Sequence, residues 1–315
     1  MIETNDYWIV GNKFIFKPEF NSEIDDSQYG LISKCDTLIF SNYSDYTMCE
    51  KTNNQYNQKY MSSKFNLPIK LKSGIKKLTF GFSFNQQIQL VEGIKDLTFG
   101  RNFNKPIELV EGIKKLTFGC NFNQPIELKE GIKKLTFGWC FNQPIELKEG
   151  IESLIFGLNF NQPIQLVKGI KNLIFGNRFN QPIELEEGLE YLALGYRFNQ
   201  EINLPSSLKY LKLDCEKCKM IDYLNDGIEE LVLDLYCNLK LDNLPSNIKK
   251  IIILNCNYNQ NLNNLPFNLE HLELPSNYKL KILLIPPNLK YIKCNTGYKY
   301  KLDFENRNIK IDFHT

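Results

Sequence analysis

A Phe-Asn pair returns every nineteen residues, at Phe65, Phe84, Phe103, Phe122, Phe141, Phe160, Phe179 and Phe198, inside a phrase close to FNQPIELKEGIKKLTFG. No other feature of the chain constrains its fold as much. A unit this short cannot bury its own apolar side chains and must lay them on its neighbours, so the sequence predicts a solenoid of stacked coils. A solenoid grows by adding coils, so the 315 residues predict one elongated body instead of two round domains.

Within one coil, Gly131-Ile132-Lys133-Lys134-Leu135-Thr136-Phe137-Gly138 places apolar residues at spacings of three and then two. This predicts a short strand with Leu135 and Phe137 inward, Thr136 outward and glycine turns on both sides. In the segment Phe122 to Leu128, Pro125 forbids a helix interior and removes a ladder donor, while Ile126 and Leu128 alternate inward. The fold expected is therefore a β-rich solenoid, with a parallel sheet through the LxF strands on one face and extended or 3₁₀ chain on the other.

The strand's first apolar residue recurs from Ile75 to Leu189, then at Leu208, Ile228, Ile248, Leu269, Leu289 and Ile309, which makes thirteen coils of 19 to 21 residues. After Leu189 the turn changes from EGI to LPSSL, LPSNI, LPFNL and PPNL. The expected organisation is a divergent N-terminal cap with an insertion (1–64), regular repeats (65–206), degenerate LP-type repeats (207–302) and a C-terminal cap and tail (303–315). Residues 1–60 read as strands, with Trp8, Ile9, Phe14 and Phe16 in a terminal hairpin and Phe20, Cys35, Leu38 and Phe40 in a first coil. Residues 43–63 read as an exposed excursion. Asp303-Phe304, Ile309, Ile311 and Phe313 read as an alternating segment that covers the last coil.

The strands Leu208-Leu211-Leu213 and Leu269-Leu272-Leu274 resemble those of leucine-rich repeats, and the FNxPIxLxxGIxxLxFG unit resembles the FNIP repeat family of social amoebae and giant DNA viruses. The resemblance implies a curved, right-handed superhelix with its sheet on the concave face, and a role in binding other proteins. Some members of that family carry an F-box that docks onto a ubiquitin ligase, which makes a substrate-recruiting adaptor the alternative function; residues 1–60 show no leucine-proline helical box of that kind.

Comparing coils with one another separates scaffold from surface. Asn66, Asn85, Asn104, Asn123, Asn142, Asn161, Asn180 and Asn199 never vary, and they predict a column of amides that satisfies backbone groups of the turns. The repeated phenylalanines predict a second, apolar column. Lys76, Lys77, Lys95, Lys114, Lys115, Lys133 and Lys134 predict a local basic face, offset over the whole chain by residues such as Glu108, Glu127, Glu130, Glu146 and Glu149. The position after the strand glycine is different in every coil: Phe82, Arg101, Cys120, Trp139, Leu158, Asn177 and Tyr196. Aromatic residues and arginine dominate binding hot spots, so this position is the candidate binding stripe.

Chemistry is sparse. With two histidines, His271 and His314, and isolated turn glycines, neither a histidine-based nucleophile nor a phosphate loop is expected. Cys215 and Cys218 have metal-ligand spacing, with Cys237 and Cys256 as possible further ligands, but no cofactor or metal is expected. Glu127 and Glu146, one coil apart, are the carboxylates a carbohydrate-acting β-solenoid enzyme would need; the same pair recurs in other coils and none is singled out. The expected function is a non-catalytic scaffold with a protein partner. A formal charge of +2, from 38 basic and 36 acidic residues, argues against a nucleic-acid partner. No long apolar run points to a membrane. Nine cysteines at irregular spacings fit free thiols in a cytoplasmic protein.

Overall fold

The uneven apolar spacing within each coil comes from one carbonyl that serves two donors. The N–H groups of Lys95 and Asp96 both donate to the Lys76 carbonyl, at 2.7 and 3.1 Å, and those of Lys114 and Lys115 both donate to the Lys95 carbonyl, at 2.8 and 3.0 Å. As at a β-bulge, two successive residues then face outward before alternation resumes. Ile94, Leu97 and Phe99 are buried, and Lys95, Asp96 and Thr98 line the outer surface of the sheet.

The computed structural model describes residues 1–44, 62–215 and 219–314, which fall into two units, Met1–Phe160 and Asn161–Thr315. The first unit holds β1 (Ile2–Glu3), β2 (Tyr7–Val10), β3 (Lys13–Phe16), α1 (Asp26–Ile32), β4 (Thr37–Phe40), β5 (Lys77–Thr79), β6 (Asp96–Thr98), β7 (Lys115–Thr117), β8 (Lys134–Thr136) and β9 (Ser153–Ile155). Strands β1 to β3 are antiparallel and include the expected hairpin; from β3 onward each strand pairs in parallel with the next, leucine against leucine through the repeats.

Helix α1 corrects the reading of residues 1–60 as strands alone. Asp25 accepts from the Gln28 N–H and the Gln28 side chain accepts from the Asp25 N–H, a capping box that nucleates the helix locally. With seven residues, α1 is too short to show a helical period. The excursion expected at 43–63 falls largely on 45–61, outside the described residues.

The second unit holds β10 (Asn172–Ile174), β11 (Tyr191–Leu194), β12 (Tyr210–Leu213), a 3₁₀ turn (Lys219–Tyr223), β13 (Glu230–Leu233), β14 (Lys250–Ile253), β15 (His271–Glu273), β16 (Tyr291–Cys294), α2 (Leu302–Glu305) and β17 (Lys310–Phe313). These strands also pair in parallel, each with the next. Every one of the thirteen expected strand positions carries a strand, β5 to β17. The C-terminal residues differ from the expectation of one alternating segment. Asp303 and Phe304 lie on α2, where Phe304 is buried, and β17 is itself a rung in register with β16. Each unit is thus a parallel β-solenoid.

The two repeat types turn by different means. Gly131 enters its turn at φ 81°, a conformation that glycine adopts without steric cost. In the LP-type coils the Leu208, Ile248, Leu269 and Leu289 N–H groups donate back to Pro205, Pro245, Pro266 and Pro286, so an ordinary four-residue turn replaces the glycine.

Inside the first unit the phenylalanines form two stacked columns. Rings at strand ends, from Phe80 to Phe156, repeat at 5.5–5.6 Å, and rings of the Phe-Asn pairs, from Phe65 to Phe160, repeat at 6.0–6.1 Å. Strands of a sheet lie about 4.8 Å apart. Spacing therefore widens away from the sheet, and within this unit the sheet occupies the inner side of a curve.

In the second unit Tyr258, Tyr278 and Tyr298 are buried and donate their hydroxyls to the carbonyls of Leu239, Gln260 and Leu280, at 3.0, 3.1 and 2.7 Å. Burial pushes all three phenols up, Tyr278 to about 12 from its ordinary 10.0. The folded chain keeps the neutral phenol, so this stabilisation is complete below about pH 10 and is lost as pH rises toward about 12. Circular dichroism and tyrosinate absorbance should change together in that window. A buried-tyrosine step near pH 10 with intact secondary structure would contradict the burial.

Candidate functional site

In the nineteen-residue coils the rim of the sheet is built where the strand runs into glycine. A Cβ added to Gly119 would lie 2.2 Å from the Gly100 carbonyl oxygen, so only glycine lets successive coils approach this closely at the strand exit. The next residue is the variable one, and its backbone is held by the following coil. The Phe82 carbonyl accepts from the Asn102 N–H, Arg101 from Asn121, Cys120 from Cys140 and Trp139 from Asn159, all at 2.8–2.9 Å. In the second unit Asn177 accepts from Arg197 at 2.9 Å.

A rigid rung therefore carries a side chain that the fold does not dictate. Phe82, Arg101, Cys120, Trp139 and Leu158 occupy one column of the first unit; Asn177 and Tyr196 occupy the equivalent positions of the second. Trp139 is 51% exposed and Tyr196 39%, Arg101 is exposed, and Phe82, Leu158 and Asn177 are half-buried. The Arg101 guanidinium lies 6.0 Å from the centre of the Phe82 ring, at the outer limit of a cation–π contact. Tyr196 meets Tyr236 edge to face at 5.0 Å, and Tyr236 is itself exposed. Tyr236 was not singled out in the sequence because it lies beyond the regular period.

The constant asparagines sit behind this rim. The Asn66, Asn85, Asn104 and Asn123 side-chain oxygens accept the backbone N–H groups of Asn85, Asn104, Asn123 and Asn142, at 2.8–2.9 Å. In the second unit Asn161 and Asn180 do the same for Asn180 and Asn199. Asn21 adds a rung by accepting from Asn66 at 3.1 Å. The glutamines that follow join in: Gln86, Gln143, Gln181 and Gln200 donate to the asparagine carbonyl one coil back. Their recurrence after the asparagine was a signal for this role. Most of these bonds are partly buried, and each contributes about 1 kcal/mol.

The remaining candidates do not assemble into a site. Cys215 and Cys237 are buried, Cys256 is exposed, and Cys218 lies outside the described residues. Among the described residues no group of three or more His, Cys, Asp or Glu could hold a metal ion. Glu127 and Glu146 border an open groove of about 370 Å³ with Pro125, Pro144 and Lys148. Each pairs with a lysine of its own coil, Glu127 with Lys129 at 3.1 Å and Glu146 with Lys148 at 2.5 Å. The Lys148 hydrogen bond holds the Glu146 carboxyl below its ordinary range, the opposite of what a glycosidic general acid requires. No described helix is long and apolar enough to cross a membrane.

A family model of the FNIP repeat matches residues 160–186 and 179–216. Residues 160–216 carry FNIP repeats. The coils have the fold of leucine-rich repeats: the crystal structure of CroV588, a circular LRR protein from a giant virus, aligns with a TM-score of 0.52 at 22% identity. The alignment covers 93% of this chain and 58% of CroV588, so this chain spans little more than half of that protein. The pneumococcal vaccine antigen PcpA aligns with 100% of this chain and 98% of its own at 15% identity, and its TM-score of 0.22 carries no argument. No curated protein matches this chain.

Proposed function

We propose that the chain is a non-catalytic scaffold that binds another protein through the rim residues following its strands. The repeat family and the leucine-rich-repeat fold support a role in protein interaction. One observation carries the finer reading: a clamped backbone rung presents a different side chain in each coil, and the largest of these, Trp139, is half exposed. A buried aromatic at that place would be core; an exposed one on a rigid support is a binding anchor, ordered before the partner arrives.

The test is capture of partners from an extract of the cells that express the chain, with wild type and the Trp139→Ala/Tyr196→Ala variant. Capture should fall by at least about tenfold, with the melting temperature unchanged because neither ring is core. Equal capture by the two proteins would remove the rim from the binding surface.

A further inference from the structure

The bulged rungs turn two columns of residues outward on the sheet, and in the first unit lysine predominates in both, interrupted by Asp96 in one and ending at Glu152 in the other. Lys76, Lys95, Lys114 and Lys133 succeed one another directly, Lys95 donating its N–H to Lys76, Lys114 to Lys95 and Lys133 to Lys114, at 2.7–2.8 Å. Beside them Lys115 stands opposite Lys134 in register. Like charges placed directly opposite one another on a sheet are destabilising. Only the ends and one interior rung are compensated: Lys76 lies 3.8 Å from Asp36, Lys115 3.8 Å from Asp96, and Lys133 2.8 Å from Glu152. Lys95, Lys114 and Lys134 are exposed and pair with no carboxylate among the described residues.

The second unit supplies an internal control. There the same column reads Lys171, Glu190, Lys209, Glu229, Lys249, Glu270 and Lys290. Its signs alternate from Lys171 to Lys290, and Lys249–Glu229 and Lys290–Glu270 close at 2.8 Å. The repeat can therefore neutralise this column from within, and in the first unit it does not.

We propose that the lysine strip on the sheet face of the first unit docks an acidic segment of a polypeptide partner. This deepens the scaffold reading and rests on it. The unpaired ammonium groups call for external carboxylates, and the threonine column beside them, Thr79, Thr98, Thr117 and Thr136, offers hydroxyls for the partner's backbone. Two features favour a polypeptide over a nucleic acid. The outward residues of these four coils are lysine, aspartate and threonine, with no aromatic platform on which bases stack. On the turn just before the lysines, Glu92, Glu111 and Glu130 form an exposed acidic border, which Glu149 continues onto the next coil. A broad phosphate backbone would overlie that border, whereas a narrow acidic chain laid along the strip avoids it.

The experiment uses the full chain and a fluorescent twelve-residue oligoglutamate peptide, read by anisotropy at low and at physiological salt. Binding is expected to weaken with salt. It should fall about tenfold in Lys95→Gln/Lys114→Gln, which removes two exposed ion pairs with the peptide's carboxylates, and stay unchanged in Lys249→Gln/Lys290→Gln. The first variant should melt no lower than wild type, because it relieves repulsion within the column. Equal losses in both variants, or tighter binding of a single-stranded oligonucleotide than of the peptide, would overturn the proposal. So would absence of peptide binding; if Trp139-dependent capture then persisted, the acidic partner would be rejected and the scaffold reading would stand.

Discussion

Phe122→Ala lowers the stability of the first unit by about 3–5 kcal/mol, the cost of deleting a fully buried aromatic side chain. The Phe122 ring has no solvent exposure. It lies 3.9 Å from Phe118 within its own coil, 6.0 Å from Phe103 below and 6.1 Å from Phe141 above, all nearly parallel. Removing it opens a void in the column and strips a face from both neighbours, which cannot close because their positions are fixed by the sheet and by the Asn104–Asn123–Asn142 chain of bonds. Solenoids are stabilised mainly between adjacent repeats, so one substitution damages two interfaces. Chemical denaturation followed by circular dichroism measures this; a loss below about 1 kcal/mol would show that the coils collapse around the gap and that the stack is not close-packed.

Gly119→Ala is expected to be as damaging, although it adds a single methyl group. The new Cβ would stand 2.2 Å from the Gly100 oxygen, 2.4 Å from the Gly100 carbonyl carbon and 2.8 Å from the Arg101 nitrogen. All three are backbone atoms of the preceding coil, so no side chain can yield. The coils must part, and the Asn121-to-Arg101 bond at the rim goes with them. The expected loss is about 3 kcal/mol or more, at the upper end for point changes. Gly131→Ala is the informative contrast. Gly131 has φ 81°, and the atom nearest its added Cβ is the flexible Lys114 Nζ. It should cost only the left-handed backbone strain of about 1–2 kcal/mol. Comparing the two melting temperatures separates close approach from dihedral strain; equal shifts would mean that the strand-exit glycines serve the dihedral alone.

Much of the scaffold was legible because a repeat records its own constraints many times. A position that is asparagine in eight successive coils, or that alternates inward as Leu135 and Phe137 do, can be assigned from comparison within one chain. The candidate stripe was visible for the complementary reason: only a position free of structural demand can be Trp139 in one coil and Asn177 in another.

Other features left no such trace. Helix α1 depends on one local cap in a stretch without repetition, and α2 places Phe304 inward where alternation predicted an extended segment. The tyrosines that replace phenylalanine at Tyr258, Tyr278 and Tyr298 fall outside the nineteen-residue frame, and their role appears only once each hydroxyl is seen to reach a carbonyl one coil back.

By itself the sequence determined the coil, the direction of its apolar side chains and the stacking of coil on coil, because a unit too short to bury itself has one way to exclude water. Only the tertiary structure decided which lysines find a carboxylate, which rim residues stay exposed and which carbonyl serves two donors. Those outcomes depend on distances between residues of neighbouring coils, and a one-dimensional period contains no distances.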